Sequence, residues 1–165
     1  MRSGLGLDFL DQTKYVCLRG LSESCDNSLR LVIQEALTNR DSTPAVRPFE
    51  LPELAALKSN AIPIESTASC RTFELTWKRY AAYLVTEECV GSCDSYGDEA
   101  YTGKLFRVYS KSHFLDHLSR DTGGHLEPLL HYKVVCLNHL IDVASYSPPE
   151  IRQAGSGAAE SKSVH

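Results

Sequence analysis

The sequence predicts an α+β, mainly-β protein built on a single antiparallel sheet of about six strands with one short helix. Three observations lead there. Between Cys70 and Tyr146 apolar residues alternate with polar ones in separate runs. The longest puts Phe73, Leu75, Trp77, Ala81, Tyr83 and Val85 on odd positions, with Glu74, Thr76 and Lys78 between them along its first half. Period-two alternation sends successive side chains to opposite faces of a pleated strand, so one face of the sheet is dry. Turn-forming residues bound several of the runs, as in SESCDNS at 22–28, Asn138-His139 and Pro148-Pro149. The clearest helix signals, a capping serine and a glycine stop, flank the stretch after Ser110.

Taken in order, Tyr15 to Leu21 reads as a strand with Tyr15, Cys17 and Leu21 on one side. After the polar turn, Leu29, Leu31 and Ile33 alternate with Arg30, Val32 and Gln34, which predicts a hairpin. A helix over Leu29 to Leu37, capped by Asp26 or Ser28, is the rival reading, because Leu29, Val32, Ile33 and Leu37 share helical spacing. Thr38 to Ser69 is irregular. It opens with loop chemistry, Pro52 can start a short helix through Leu57, and the isoleucines around Pro63 suggest an extended lead-in. Phe73 to Val85 is one long strand, bent near Ala81-Ala82. Glu87 to Glu99 is a polar loop with five acids and no bases. Lys104 to Tyr109 is a strand, and Ser110 or Ser112 caps a helix ending near Arg120 at Asp121-Thr122-Gly123-Gly124. His131 to Leu137 and Leu140 to Tyr146 complete the set, and the two prolines end the last strand.

At 165 residues the chain suits one compact domain. Residues 1–14 form an N-terminal extension, and 15–151 a single mainly-β domain with an irregular 38–69 segment. Residues 152–165 have almost no bulky apolar side chain and are expected to be a disordered tail. Hydrophobic residues make up 42% and charged residues 23%, with a net charge of −4. A nonspecific nucleic-acid binder advertises a basic surplus, so no nucleic-acid partner is expected. No run approaches the roughly 20 apolar residues that cross a bilayer, so no membrane partner is expected either. Asp8 and Asp11 interrupt any signal-peptide core, which points to a cytoplasmic protein. Its six cysteines are then read mainly as reduced thiols. In an oxidising compartment they would allow 15 pairings, among which sequence does not choose.

Four constellations carry possible chemistry. Cys89-x3-Cys93 with His113-x3-His117 could hold zinc, because a helix beginning at Ser112 would place the two histidines one turn apart on one face. No cofactor is the primary expectation and zinc the alternative. Cys136, His139 and Asp142 hold the residue types of a thiol nucleophile, its imidazole base and an orienting carboxylate. Residues three apart on strands face opposite ways, so the three converge only if the turn at 138–139 redirects His139. Asp94, Asp98 and Glu99 could supply oxygens to calcium, but the twelve-residue ligand pattern is absent. Finally, Tyr80 and Arg107, with Glu87, Glu88, Asp94, Asp98 and Glu99, combine an aromatic strand face with an acidic loop, a composition suited to a protein interface. Trp77 and Tyr83 share the odd face and are assigned to the core, with Tyr80 on the opposite face.

The phrases FELTWKRYAAYLVTEE, GKLFRVYSKSHFLDHL and LHYKVVCLNHLIDVAS, led by YVCLRGLSESCDNSLRLVI, resemble a group of small uncharacterised bacterial proteins. That group has a W-x-x-Y-x-x-Y strand, a YSKS-x-FL strand-to-helix step and a final IDV hairpin. The resemblance spans about Tyr15 to Ile151 and implies a bacterial context without any catalytic residue. By analogy with toxin-neutralising immunity partners, it implies an immunity-like role. The expectation is a non-enzymatic module that binds an unknown protein partner, with a zinc-binding protein or a thiol enzyme as the alternatives.

Overall fold

The structure is a computed structural model that describes residues 10, 12–39, 62–90, 97–124 and 128–154. The first hairpin pairs β1 (Tyr15–Glu23) with β2 (Leu29–Thr38). Its turn is closed by the Ser24 amide donating to the Ser28 carbonyl at 3.0 Å. Asn27 takes the left-handed conformation there (φ 58°), which asparagine tolerates better than most residues. The helical alternative for Leu29–Leu37 loses because β2 is paired on both sides. Its alternating Leu29, Leu31 and Ile33 are buried completely, a pattern only an extended chain produces.

Among the described residues eight strands and one helix follow. They are β3 (Ile64–Glu65), β4 (Thr72–Trp77), β5 (Tyr80–Glu87), β6 (Ala100–Thr102), β7 (Phe106–Lys111), α1 (His113–Asp121), β8 (Leu130–Val135), β9 (His139–Ser145) and β10 (Glu150–Ala154). They form two antiparallel sheets of five strands. Sheet I has the order β1-β2-β4-β10 with β3 beside the end of β2, and sheet II has the order β5-β9-β8-β7-β6.

The single six-stranded sheet expected from the sequence is therefore corrected to two sheets. The physical cause is the burial of Trp77. One sheet leaves its apolar face against water, whereas here the faces of Leu29, Leu31, Ile33, Phe73, Leu75 and Trp77 and of Phe106, Tyr132, Val134, Ile141 and Val143 close on each other. Trp77 meets Tyr132 across the interface at 6.1 Å between ring centroids.

The long 73–85 run is in fact two strands. The chain leaves sheet I after Trp77, turns through exposed Lys78 and Arg79, and enters sheet II at Tyr80. A bulge between Tyr80 and Ala82 then shifts the alternation by one residue. Tyr80 thus joins Tyr83 on the inner side, the rings 5.7 Å apart, and the opposite-face placement read from sequence is corrected.

The chain returns to sheet I through β10, which pairs with β4 from Glu150↔Thr76 to Ala154↔Thr72. The sequence reading assigned no strand there, because Ile151 is the only large apolar residue in the segment. Before β1, Leu10 lies fully buried in the core. Thr13 Oγ1 accepts from Arg71 Nη2 at 3.1 Å, and Arg71 grips Glu35 through Nη2 at 2.7 Å and Nε at 3.0 Å. The proposed helix at 52–57 lies outside the described residues; of the disordered tail expected at 152–165, residues 152–154 instead end β10 and the rest lies outside the described residues.

Candidate functional site

The most connected polar group lies between α1 and the outer face of sheet II. Ser112 ends β7's exit and caps α1: its backbone is extended (φ −152°, ψ 127°) and its Oγ accepts from the Leu115 amide at 3.2 Å. The same Oγ lies 2.7 Å from His131 Nδ1 on β8. His131 Nε2 lies 2.9 Å from Asp142 Oδ1 on β9, and Lys133 Nζ reaches that oxygen at 3.3 Å. The β8–β9 register brings them together, with His131 opposite Ala144 and Lys133 opposite Asp142, so His131 and Asp142 are diagonal neighbours. Tyr109 stacks on the imidazole at 4.3 Å and Phe114 of α1 covers it at 5.2 Å.

Serine, histidine and aspartate in one chain invite comparison with a hydrolytic triad, and two features separate them. In the triad the serine meets Nε2 and the aspartate Nδ1; here the nitrogens are exchanged. Access is also closed, since Ser112, His131 and Asp142 are 3%, 1% and 7% exposed. A neutral imidazole satisfies every member: Nε2–H donates to Asp142, the Ser112 hydroxyl donates to Nδ1, and Ser112 Oγ still accepts from Leu115. Lys133 balances the carboxylate. The chain of bonds clamps α1 to sheet II. Sequence reasoning singled out Asp142 and missed His131 and Ser112 as its companions, because only the register makes them adjacent.

The predicted thiol set does not assemble around Asp142, which turns to His131. Cys136 and His139 meet through their backbones, the Cys136 amide donating to the His139 carbonyl at 2.9 Å. Burial, with Cys17 nearby, pushes the Cys136 thiol up to about 12, where it stays protonated at neutral pH. For the zinc set, Cys93 lies outside the described residues. His113 Nε2 stands 2.8 Å from Asp98 Oδ1, and His117 Nε2 stands 3.4 Å from Asp121 Oδ2. Partial desolvation and the neighbouring Glu87 carboxylate raise the Cys89 thiol. Among the described residues no three His, Cys, Asp or Glu side chains gather closely enough to hold a metal ion.

The predicted interaction residues are dispersed rather than assembled. Tyr80 and Tyr83 face inward and both hydrogen-bond Glu23 of β1; desolvation and then this bond raise the Tyr80 phenol, and the bond and then desolvation raise that of Tyr83. Arg107 lies on the outer face, 4.5 Å above the Tyr101 ring, and its Nε donates to the Lys104 carbonyl at 3.3 Å. β9 and β8 separate the strands of Tyr80 and Arg107. Glu87 pairs with His139 at one end of sheet II, with Glu88 just beyond. At the other end, Glu99 Oε1 accepts from the His113 amide at 2.9 Å, and His113 holds the Asp98 carboxyl below its usual range. Asp94 lies outside the described residues.

A shallow groove of about 300 Å³ runs over the outer face of sheet I. Its charges already pair with each other, Arg30 with Glu74 at 2.5 Å and Arg152 with Glu150 at 3.3 Å.

Among the described residues strand edges remain open. Sheet edges expose unpaired backbone groups, and proteins blunt them with charge, brevity or bulges. β1 carries Arg19 at a bulge, β10 is five residues long with Glu150 and Arg152, and β6 has three residues and a bulge. β5 is eight residues long and uncharged from Tyr80 to Thr86, and its own bulge is confined to its start, between Tyr80 and Ala82. Leu84 and Val85 are 50% and 37% exposed, and Val90 just beyond is 77% exposed. Among the described residues β5 pairs with β9 alone.

No family model, no curated protein and no solved structure matches this chain.

Proposed function

We propose that the chain is a non-enzymatic protein-interaction module that engages another polypeptide along the β5 edge. One observation carries this reading: β5 is an eight-residue edge strand without charge from Tyr80 to Thr86, with Leu84 and Val85 turned to solvent. A polypeptide that adds a strand there gains backbone hydrogen bonds and covers apolar surface in one step. Support comes also from the burial of the Ser112–His131–Asp142 chain and from the protonated Cys136 thiol, neither of which is placed to attack a substrate. Among the described residues the cysteines Cys17, Cys25, Cys70, Cys89 and Cys136 are free thiols, which suits a reducing compartment. Neutralisation of a toxin-like partner is the variant that the bacterial resemblance suggests.

Site-specific photo-crosslinking tests the reading in living cells. A photoreactive residue in place of Leu84 should give discrete adducts, and one in place of Arg152 on the charged β10 edge should give few. Equal yields at both edges, or none at position 84, would refute it.

A further inference from the structure

We infer that the polypeptide that fits the β5 edge is a second copy of this chain, paired antiparallel with β5 of the first. The inference rests on the proposed role of that edge and names its occupant. The segment Lys78-Arg79-Tyr80-Ala81-Ala82-Tyr83-Leu84-Val85-Thr86-Glu87-Glu88 is basic at its start, acidic at its end and uncharged between.

Laid antiparallel against itself about Tyr83, it sets Glu87 against Arg79 and Glu88 against Lys78 in both halves. In the centre each larger aliphatic side chain meets a small one, Leu84 against Ala82 and Val85 against Ala81. Antiparallel neighbours of opposite charge and complementary size are the favourable cross-strand pairs. Centring on Leu84 instead sets Leu84 against itself and Glu87 against Ala81, which loses both matches. A parallel arrangement would align like charges at both ends. The bulge at Ala81 shifts individual partners near the strand start by one residue and leaves the match of basic with acidic ends intact.

The charged ends are placed to take part. Lys78 and Arg79 are exposed at the corner between the sheets, as are Glu87 and Glu88 at the far end. Lys78 pairs with Glu150 at 2.5 Å and Arg79 stacks on Tyr146 at 4.0 Å, contacts that hold both cations at this corner. Such a pair shares one isologous edge and fuses two five-stranded sheets into one of ten.

Sedimentation of the full chain, with reversed-charge variants, tests the inference. The wild type should sediment as a species of twice the 18.3 kDa chain mass. E87K/E88K and K78E/R79E should each weaken the dimer about 100-fold, because each sets like charges together at both ends. An equimolar mixture of the two variants should restore it as a heterodimer, since every opposed pair is again of opposite sign. Rising salt should weaken the wild-type dimer. Far-ultraviolet circular dichroism and a thermal melt of each variant establish that it folds; where K78E/R79E does not, E87K/E88K alone and L84K carry the test.

A wild type that stays monomeric, or a dimer untouched by E87K/E88K and by L84K, overturns the inference. The two proposals then separate by what a photoreactive residue at position 84 captures. A different protein captured there leaves the edge reading standing without the second copy, and no capture removes both.

Discussion

At the scale of single residues, burial sets the chemistry. His131 is enclosed by Ser112, Asp142, Tyr109 and Phe114, so its imidazole works as a connector between α1 and sheet II. Removing the carboxylate leaves Nε2–H and the Lys133 ammonium without their shared acceptor. Asp142→Ala should therefore lower stability by about 2–4 kcal/mol, read as a shift of the urea midpoint. The thiols divide in the same way. Cys25 and Cys89 are exposed, and Cys70 and Cys136 are buried. Brief alkylation followed by mass spectrometry should mark the first two, and the buried pair only after denaturant is added. The sequence showed which residue types were present. It did not show that Asp142 belongs with His131 rather than His139, because that choice depends on which residue of β8 lies beside it.

Among the elements, the strands owe their places to packing and the turns to local chemistry. Trp77 is fully buried between the sheets, against Tyr132. Trp77→Ala should cost about 3–5 kcal/mol, and the native indole should emit at short wavelength and shift to the red on unfolding. Gly103 shapes the β6–β7 turn with φ 90°, and a Cβ there would stand 2.1 Å from the Phe106 carbonyl oxygen. Gly103→Ala should lower the urea midpoint, by more than the few tenths of a kcal/mol that exposed positions ordinarily show.

The helix from 113 was readable because its cap and stop are local: Ser112 accepts from Leu115, and Gly123 and Gly124 take positive φ values of 63° and 76°. The break at Lys78-Arg79 was harder to see. Alternation continues through it, and two short strands in different sheets give the same pattern of letters as one long strand. β10 was harder still, since an edge strand with a single large apolar residue resembles a tail.

For the whole molecule, the two sheets share one core and the chain crosses between them twice, after Trp77 and again before β10. Stability should fall in acid. Glu35 is held below its usual range by hydrogen bonds from Arg71, and Glu74 by one from Arg30. A carboxylate with a depressed folded-state pKa contributes stability above its unfolded value of about 4.3 and loses it as pH falls through the folded value. The urea midpoint should therefore decline as pH drops below about 4, and Glu35→Gln should make that decline shallower. Equal slopes for the two proteins would show that the Arg71 pair is not among the linked groups.

By itself, the sequence determined the β-rich class, the first hairpin, the capped helix and the burial of Phe73 and Leu75 with Trp77, whereas Ala81 and Val85 of the same odd face are exposed. Each of these rests on contacts a few residues apart or on a period of two, and such information survives in a string of letters. Only tertiary structure decided that the strands divide into two facing sheets, that Tyr80 turns inward, that His131 takes Asp142, and that β5 is left at an edge. Those outcomes depend on which distant strands become neighbours, and free energy gained between segments far apart in the chain leaves no local periodicity to read.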